Sequence, residues 1–349
     1  MDENKLIDKF RGSLVGVAIG DALGMPVETM TPEEILKATG GQGVHGYLAP
    51  LQNRISGTRN LRPGDVTDDT LLTFAVARSL INCGGFELLD QAAEFIDEFD
   101  CSTLGWGRTT KESAREIKRW MDTLGSEGRH PENPARPPVK PGHGCGNGVA
   151  MKITPLGLFY ALRDDFPEPF LSHVMSLGLM THGDPRASFA AAVLGDLIGW
   201  LTVQSQPLGQ EDLLPKARQR VERTLEILEY RYQFFRDRPE DRLSGRFAAL
   251  WDSLGCERSL RQRIGTDCFA LESVPFAVGV FLRHPQDCRA AVLEAANAGG
   301  DTDSTASVVG ALVGANLGLT GIPPDLQNGC LARDKAINLA DDLYAAAKA

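Results

Sequence analysis

A chain of 349 residues has room for a large core, and 42% hydrophobic with 23% charged residues is the balance of a soluble globular protein, not of a disordered one. Thirty-six Lys and Arg against 46 Asp and Glu give a formal net charge of −10, which argues against general nucleic-acid binding. No run of about 18 apolar residues is present, so no membrane-spanning helix is expected.

The charged start Met1-Asp2-Glu3-Asn4-Lys5 leads into an amphipathic stretch rather than a signal peptide. Leu6, Phe10, Leu14 and Val17 recur at helical spacing and predict a helix ending between Gly20 and Gly24. Residues 40–63, rich in Gly, Asn and Ser, read as a long loop. A buried helix is expected over 70–81. Helical stripes follow on Phe86, Leu89, Ala93 and Ile96, and on Ala114, Ile117, Met121 and Leu124. Five prolines and six glycines in 125–148 predict a loop, and a loop that long inside a compact domain is usually functional.

Further helices are predicted over 170–180, 187–203, 217–236, 272–282, 288–296, 305–317 and 334–347. In the charged segment 217–236, Val221, Leu225, Leu228, Tyr232 and Phe235 step by four and three, the pattern of a surface helix. Strand alternation, hairpin signals and internal repeats are absent. The chain reads as all-α, one domain over 1–349, with long functional loops. Seven cysteines, an odd count without C-x-x-C spacing, read as reduced thiols of a cytoplasmic protein.

Gly16, Gly20 and Gly24 line one face of the first helix, and Gly310, Gly314 and Gly318 one face of a late one. Glycine inside a helix costs about 1 kcal/mol relative to Ala, so close backbone approach is the natural compensation. If the two faces pack antiparallel, Glu28 arrives beside Asp301. If they do not, the two helices are unrelated.

Two acidic stretches carry the chemistry. Thr67-Asp68-Asp69-Thr70 and Gly299-Gly300-Asp301-Thr302-Asp303-Ser304 each put two carboxylates at the opening of an apolar helix. Helix capping accounts for one such group at each opening, since acids there favour the macrodipole. It does not account for four carboxylates. With the hydroxyls of Thr67 and Ser304 they form an all-oxygen donor set suited to hard octahedral ions, Mg²⁺ or Mn²⁺. Zinc is disfavoured, because no Cys/His cluster has its spacing.

Gly142-His143-Gly144-Cys145-Gly146-Asn147-Gly148 alternates glycine densely enough to turn backbone N–H groups toward an anion. It lacks the Gly-Lys-Ser/Thr of a Walker loop. A flexible surface loop is the plainer reading.

Four motifs stand in the order of the ADP-ribosylglycohydrolase family, which the chain resembles from Gly12 to Gly318. They are Gly20-Asp21-Ala22-Leu23-Gly24 with Glu28, Thr67-Asp68-Asp69-Thr70, Gly146-Asn147-Gly148-Val149-Ala150-Met151, and Gly299 to Ser304. The resemblance implies a compact orthogonal helical bundle and two divalent ions, Mg²⁺ or Mn²⁺. It implies Thr67, Asp68, Asp69, Asp301, Asp303 and Ser304 as metal ligands, with Glu28 and Asp303 catalytic. Gly144, Gly146, Asn147 and Gly148 would hold the diphosphate and distal ribose, and His182 and Phe269 would belong to the substrate pocket. Without the resemblance, His182 is an ordinary surface histidine and Phe269 a core residue. Ser304 stands where many relatives have threonine and keeps the ligating hydroxyl. Phe269 stands where tyrosine is common and cannot donate a hydrogen bond.

The implied activity is hydrolysis of the bond between ADP-ribose and an acceptor, either a protein side chain such as arginine or serine or a small conjugate. Such cleavage passes through an oxocarbenium-like state that needs a held sugar and a placed water. Two other readings stay open. One is an ADP-ribose-binding or structural protein without turnover, and the other is a two-metal phosphohydrolase, which the same acidic ligands would serve.

Overall fold

The computed structural model describes residues 2–51, 60–127, 142–163, 167–232, 241–254 and 260–349, with backbone alone for 123–127. Among the described residues are sixteen α-helices and no strand. The first eight are α1 (Glu3–Gly24), α2 (Pro32–Ala38), α3 (Asp68–Cys83), α4 (Leu88–Cys101), α5 (Arg108–Glu127), α6 (Thr154–Tyr160), α7 (Glu168–Leu179) and α8 (Pro185–Thr202). The others are α9 (Gln210–Arg231), α10 (Leu243–Leu254), α11 (Leu260–Ile264), α12 (Ala270–Arg283), α13 (Cys288–Ala296), α14 (Thr302–Leu317), α15 (Pro324–Gly329) and α16 (Arg333–Lys348). No helix among the described residues is long and apolar enough to cross a membrane.

α1 and α14 lie at the centre. Every residue from Gly12 to Gly24 and from Thr302 to Asn316 is buried, so neither helix has a solvent face over that stretch. A helix covered on all sides belongs to the interior of a bundle. The two pack directly on each other, and glycine lets them do so. A Cβ on Gly16 would lie 2.1 Å from the Gly310 carbonyl oxygen, and one on Gly310 would lie 2.0 Å from that of Gly16. The pairing is antiparallel, and its register sets Gly20 against Ala306 and Gly24 against Thr302. The sequence places Gly318 on the same glycine face. There it meets Gly12, whose Cβ would lie 2.4 Å from the Gly318 carbonyl carbon, and it ends α14 with φ +78 beside Asp8.

Other helices close around this pair: α12 and α13 pack on α14, α16 packs on α1 and α3, and α8 carries α6, α7 and α9. α9 is the amphipathic surface helix its spacing predicts, burying Val221, Leu225 and Leu228. Phe235 lies outside the described residues. The stripe expected on Phe86, Leu89, Ala93 and Ile96 is displaced. α4 begins at Leu88, buries Ala92, Phe95 and Ile96, and leaves Leu89 exposed. Phe86 precedes the helix and stacks on His173 at 4.6 Å.

Ala114 and Ile117 face the core as expected, while the side chain of Leu124 lies outside the described part. α5 continues past residue 125 to Glu127, since the first proline of that segment is Pro131. Five short or late helices (α2, α6, α10, α11 and α15) fall where no helix was expected. α6 shows why: all seven of its residues are buried, so it has no polar face to produce a period.

Candidate active site

A cavity of about 740 Å³ opens where α1 ends and where α3 and α14 begin. Both of the latter helices point their N-termini and their acidic first turns into it. Neither uses those acids as caps. Thr67 and Asp301 occupy the N-cap positions, yet neither side chain makes a capping hydrogen bond.

At α3 the capping is done from another helix. Asp21, buried within α1, accepts from the Thr67 N–H at 2.9 Å and hydroxyl at 2.7 Å, and from the Thr70 N–H at 3.1 Å and hydroxyl at 2.5 Å. Asp68 and Asp69 are thereby left to face the cavity. Asp21 was not singled out in the sequence, although a carboxylate inside the apolar run of the first helix was signal enough.

Glu28 is delivered by a short 3-10 turn, Met25–Val27, that continues α1. The next residue, Thr29, takes φ +66, an uncommon conformation for a residue with a Cβ. It is pinned by its N–H donating to Gly300 O at 2.7 Å, while Gly300 N–H donates to Met30 O at 3.0 Å. Gly300 itself has φ +78, and a Cβ there would lie 2.5 Å from the Thr266 carbonyl oxygen. Only glycine lets the chain cross here. The crossing sets one carboxylate oxygen each of Glu28, Asp301 and Asp303 within 4.8 Å of one another.

Two side-chain bonds join the remaining pieces. Ser304 Oγ donates to Asp69 Oδ2 at 3.3 Å, bridging the two acidic stretches across 235 positions of sequence. Asn147 Nδ2 donates to Asp301 Oδ2 at 2.7 Å, tying the glycine loop to the acids. That loop lies against His182: a Cβ on Gly148 would sit 2.9 Å from the ring, and one on Gly146 would sit 3.4 Å from Nε2. His182 is therefore buried rather than on the surface.

The loop is also braced by main-chain bonds. Asn147 N–H donates to Cys268 O and Ala270 N–H to Cys145 O, both at 2.9 Å, around an isolated bridge between Gly146 and Phe269. Thr67, Gly144 and Phe269 are not among the residues lining the cavity. Each adjoins one that is: Thr67 precedes Asp68, Gly144 packs beside His182, and Phe269 is bridged to Gly146. The Arg186 guanidinium lies over the Phe269 ring at 5.7 Å. The lining is completed by Gly105, beside Asp68, by Gly107, and by the Arg108-Thr109-Thr110 start of α5, where Thr109 adjoins Gly144 and Thr110 adjoins Gly148; no sequence pattern marked these residues.

Burial dominates the electrostatics. It pushes the Glu28 carboxyl up to about 9, with the Asp301 charge adding to the shift, and Asp68 up to about 8, with Asp21 adding to it. Asp69 and Asp303 are raised well above the usual carboxylate range, again by burial first and then by Asp68 and Glu28 respectively. Burial lowers His182 to about 3, so the ring is neutral.

Lys152 is buried with no hydrogen-bond partner for Nζ, lies over the Phe95 ring at 5.1 Å, and is lowered to about 8 by burial against the pull of Asp68. One lysine does not balance this many acids. Glu28 Oε2 and Asp69 Oδ1 are buried without any hydrogen-bond partner, and orphaned buried carboxylate oxygens are costly. An all-oxygen cluster with unpartnered acceptors fits a hard divalent cation.

The ADP-ribosylglycohydrolase family model matches residues 2–349. This chain belongs to the ADP-ribosylglycohydrolase family. It is an ADP-ribosyl glycohydrolase, a hydrolase, on the all-α fold of that family.

Among its relatives, the ADP-ribosyl-dinitrogen reductase glycohydrolase of Rhodospirillum rubrum is 27% identical over 316 residues, covering 90% of this chain and 88% of that one. The ADP-ribosylhydrolase ARH3 of Homo sapiens is 24% identical over 97% of this chain and 93% of its own. A solved ADP-ribosylglycohydrolase-related protein complex superposes with a TM-score of 0.70 at 23% identity, covering 99% of each chain. That likeness establishes the shared fold.

Proposed function

We propose that this glycohydrolase cleaves the bond between the anomeric carbon of the distal ribose of an ADP-ribosyl group and a protein side chain or small acceptor, releasing free ADP-ribose. The observation that carries the reading is the meeting of Glu28, Asp68, Asp69, Asp301 and Asp303 on one cavity whose glycine-loop wall reaches the same acids through Asn147.

Thr67, Asp68, Asp69, Asp301, Asp303 and Ser304 would hold a pair of Mg²⁺ or Mn²⁺ ions. Such ions, when bound, offset the buried charge and orient ribose hydroxyls and water. The protein's own groups do the rest. Gly146, Asn147 and Gly148 present backbone toward the diphosphate and ribose, with Gly144 seating the loop on His182. Neutral His182 offers a hydrogen bond without adding charge. Glu28, raised by burial, holds a proton at the mouth of the acidic cluster and passes it between the attacking water and the departing acceptor. Asp303 stabilises positive charge developing on the ribose. Phe269 supports the loop from behind through its bridge to Gly146.

The substrate is an ADP-ribosylated protein or conjugate, and arginine- and serine-linked peptides and O-acetyl-ADP-ribose are the candidates to test. Each is supplied with Mg²⁺ or Mn²⁺ and assayed for free ADP-ribose. Release from at least one of them, lost in Asp303→Ala, supports the reading. ADP-ribose binding without release from any conjugate would replace it with a binding role, and phosphate loss from ADP-ribose would replace it with phosphohydrolysis.

A further inference from the structure

We propose that α7, α8 and α9 enclose a second ligand site, built for a small nucleoside phosphate and separate from the acidic cavity. The space there measures about 400 Å³ and shares no lining residue with the active-site cavity. Small-molecule sites fall at about 300–1,000 Å³.

The charge of this cavity runs against that of the chain. The protein carries a net −10, yet Lys216, Arg220 and Arg223 line the space against one carboxylate, Asp196. On α9 these cations are four and three residues apart, which places them on one helix face. Asp196 is buried and already engaged. It accepts from Arg220 Nη2 at 2.6 Å and Nε at 3.0 Å, and from Thr224 Oγ1 at 2.7 Å.

That triad explains how α9 is fastened to α8. It does not explain Lys216 and Arg223 at the rim of a space left open. Lys216 has Asp212 at 4.0 Å, with both side chains more than half exposed, a geometry that contributes little. Arg223 forms no ion pair within 4.0 Å among the described residues, and acts on Asp196 only at longer range. Glu222, its neighbour on α9, is turned to Arg218 at 2.8 Å instead.

The remaining wall is largely apolar. Leu171, Ile227 and the Trp200 ring line it, and the Arg220 guanidinium lies over that ring at 5.9 Å. The Trp200 indole offers a surface for a nucleobase, and since Arg220 is committed to Asp196, phosphate oxygens would fall to Lys216 and Arg223. A pocket of this size on an acidic chain is too small for a nucleic-acid polymer. It admits one nucleoside phosphate.

The test is calorimetric titration of the full chain with AMP, with adenosine and inorganic phosphate run in parallel. The variants are Lys216→Glu/Arg223→Glu and Trp200→Leu, and thermal melts check each for folding. The two charge changes fall at exposed positions and leave the hydrogen bonds of the Asp196 triad in place, so turnover should be unchanged, while losing the Arg223 charge that favours ionised Asp196 should lower melting only slightly. Expected results are AMP binding that weakens about ten-fold or more in the charge variant, and loss in Trp200→Leu of the advantage of AMP over phosphate. No AMP binding to the parent chain would overturn the proposal. So would equal AMP affinity in parent and charge variant, which would locate the nucleotide in the acidic cavity. Phosphate binding as tightly as AMP would overturn the nucleoside part.

Discussion

Thr67 donates both its backbone N–H and its hydroxyl to Asp21, at 2.9 and 2.7 Å, so the acidic opening of α3 is held by a carboxylate from α1. Thr70 adds its own pair of donors. Oδ2 alone accepts from both threonines, but an amide at position 21 puts an NH2 donor against the Thr67 hydroxyl that Oδ1 now accepts, and removes the charge that holds the other donors. Asp21→Asn is expected to cost about 1–3 kcal/mol, because a buried donor is left unmet. Urea denaturation reads that loss. Metal-dependent turnover should fall as well, since Asp68 and Asp69 lose their anchor. Unchanged turnover in a destabilised variant would confine Asp21 to stability.

The glycine contact between α1 and α14 predicts a steric effect of one methyl group. Gly16→Ala drives a Cβ to 2.1 Å from the Gly310 oxygen, and both partners are helix backbone that cannot turn aside. A loss of about 3 kcal/mol or more is expected. Gly85→Ala is the control, because a Cβ there meets nothing within 4 Å. It should stay within about 0.5 kcal/mol. Similar melting curves for the two variants would show that the helices can separate without penalty.

Glu28 and Asp68, pushed up to about 9 and about 8, set a pH dependence whose sign follows from linkage. Folded values above the unfolded ones mean that bound protons favour the fold. The contribution is complete below about pH 4 and is lost as pH rises through about 8 to 9. In EDTA these groups lower the melting temperature across that range. Mg²⁺ or Mn²⁺ would replace the protons, so the rise on adding either ion should be larger at pH 8 than at pH 6. Equal rises at both values would mean that Asp68 is not a ligand.

Asn147 joins the glycine loop to the acids through one 2.7 Å bond to Asp301, while its backbone N–H is committed to Cys268 O. Asn147→Ala therefore removes the side-chain clamp and keeps the loop anchored. Loss of an outer partner of this kind costs about 10–100-fold in metal affinity or activity. Mn²⁺ titration and steady-state kinetics give the two numbers separately. A variant with parent-like metal affinity and turnover would reduce Asn147 to a loop residue.

Several features were written in the chain itself. Runs such as Leu6 to Val17 and Val221 to Leu228 carry helical period because one helix face is dry and the other wet, and that contrast survives in one dimension. The acidic stretches announced a site because helix capping has no use for four carboxylates. The regular step of Gly16, Gly20 and Gly24 already signalled a close helix contact.

Tertiary structure decided the rest. The register that brings Gly24 to Thr302, the reach of Asp21 to Thr70, and the burial of His182 under the glycine loop all join segments far apart in sequence. α6 and the start of α5 at the cavity rim were silent for related reasons. A fully buried helix shows no period, and a rim residue earns its place from what lies opposite it. Hydrophobic pattern is local and can be read along the chain, whereas orphaned oxygens, raised proton affinities and a cavity exist only once distant backbones have closed around them.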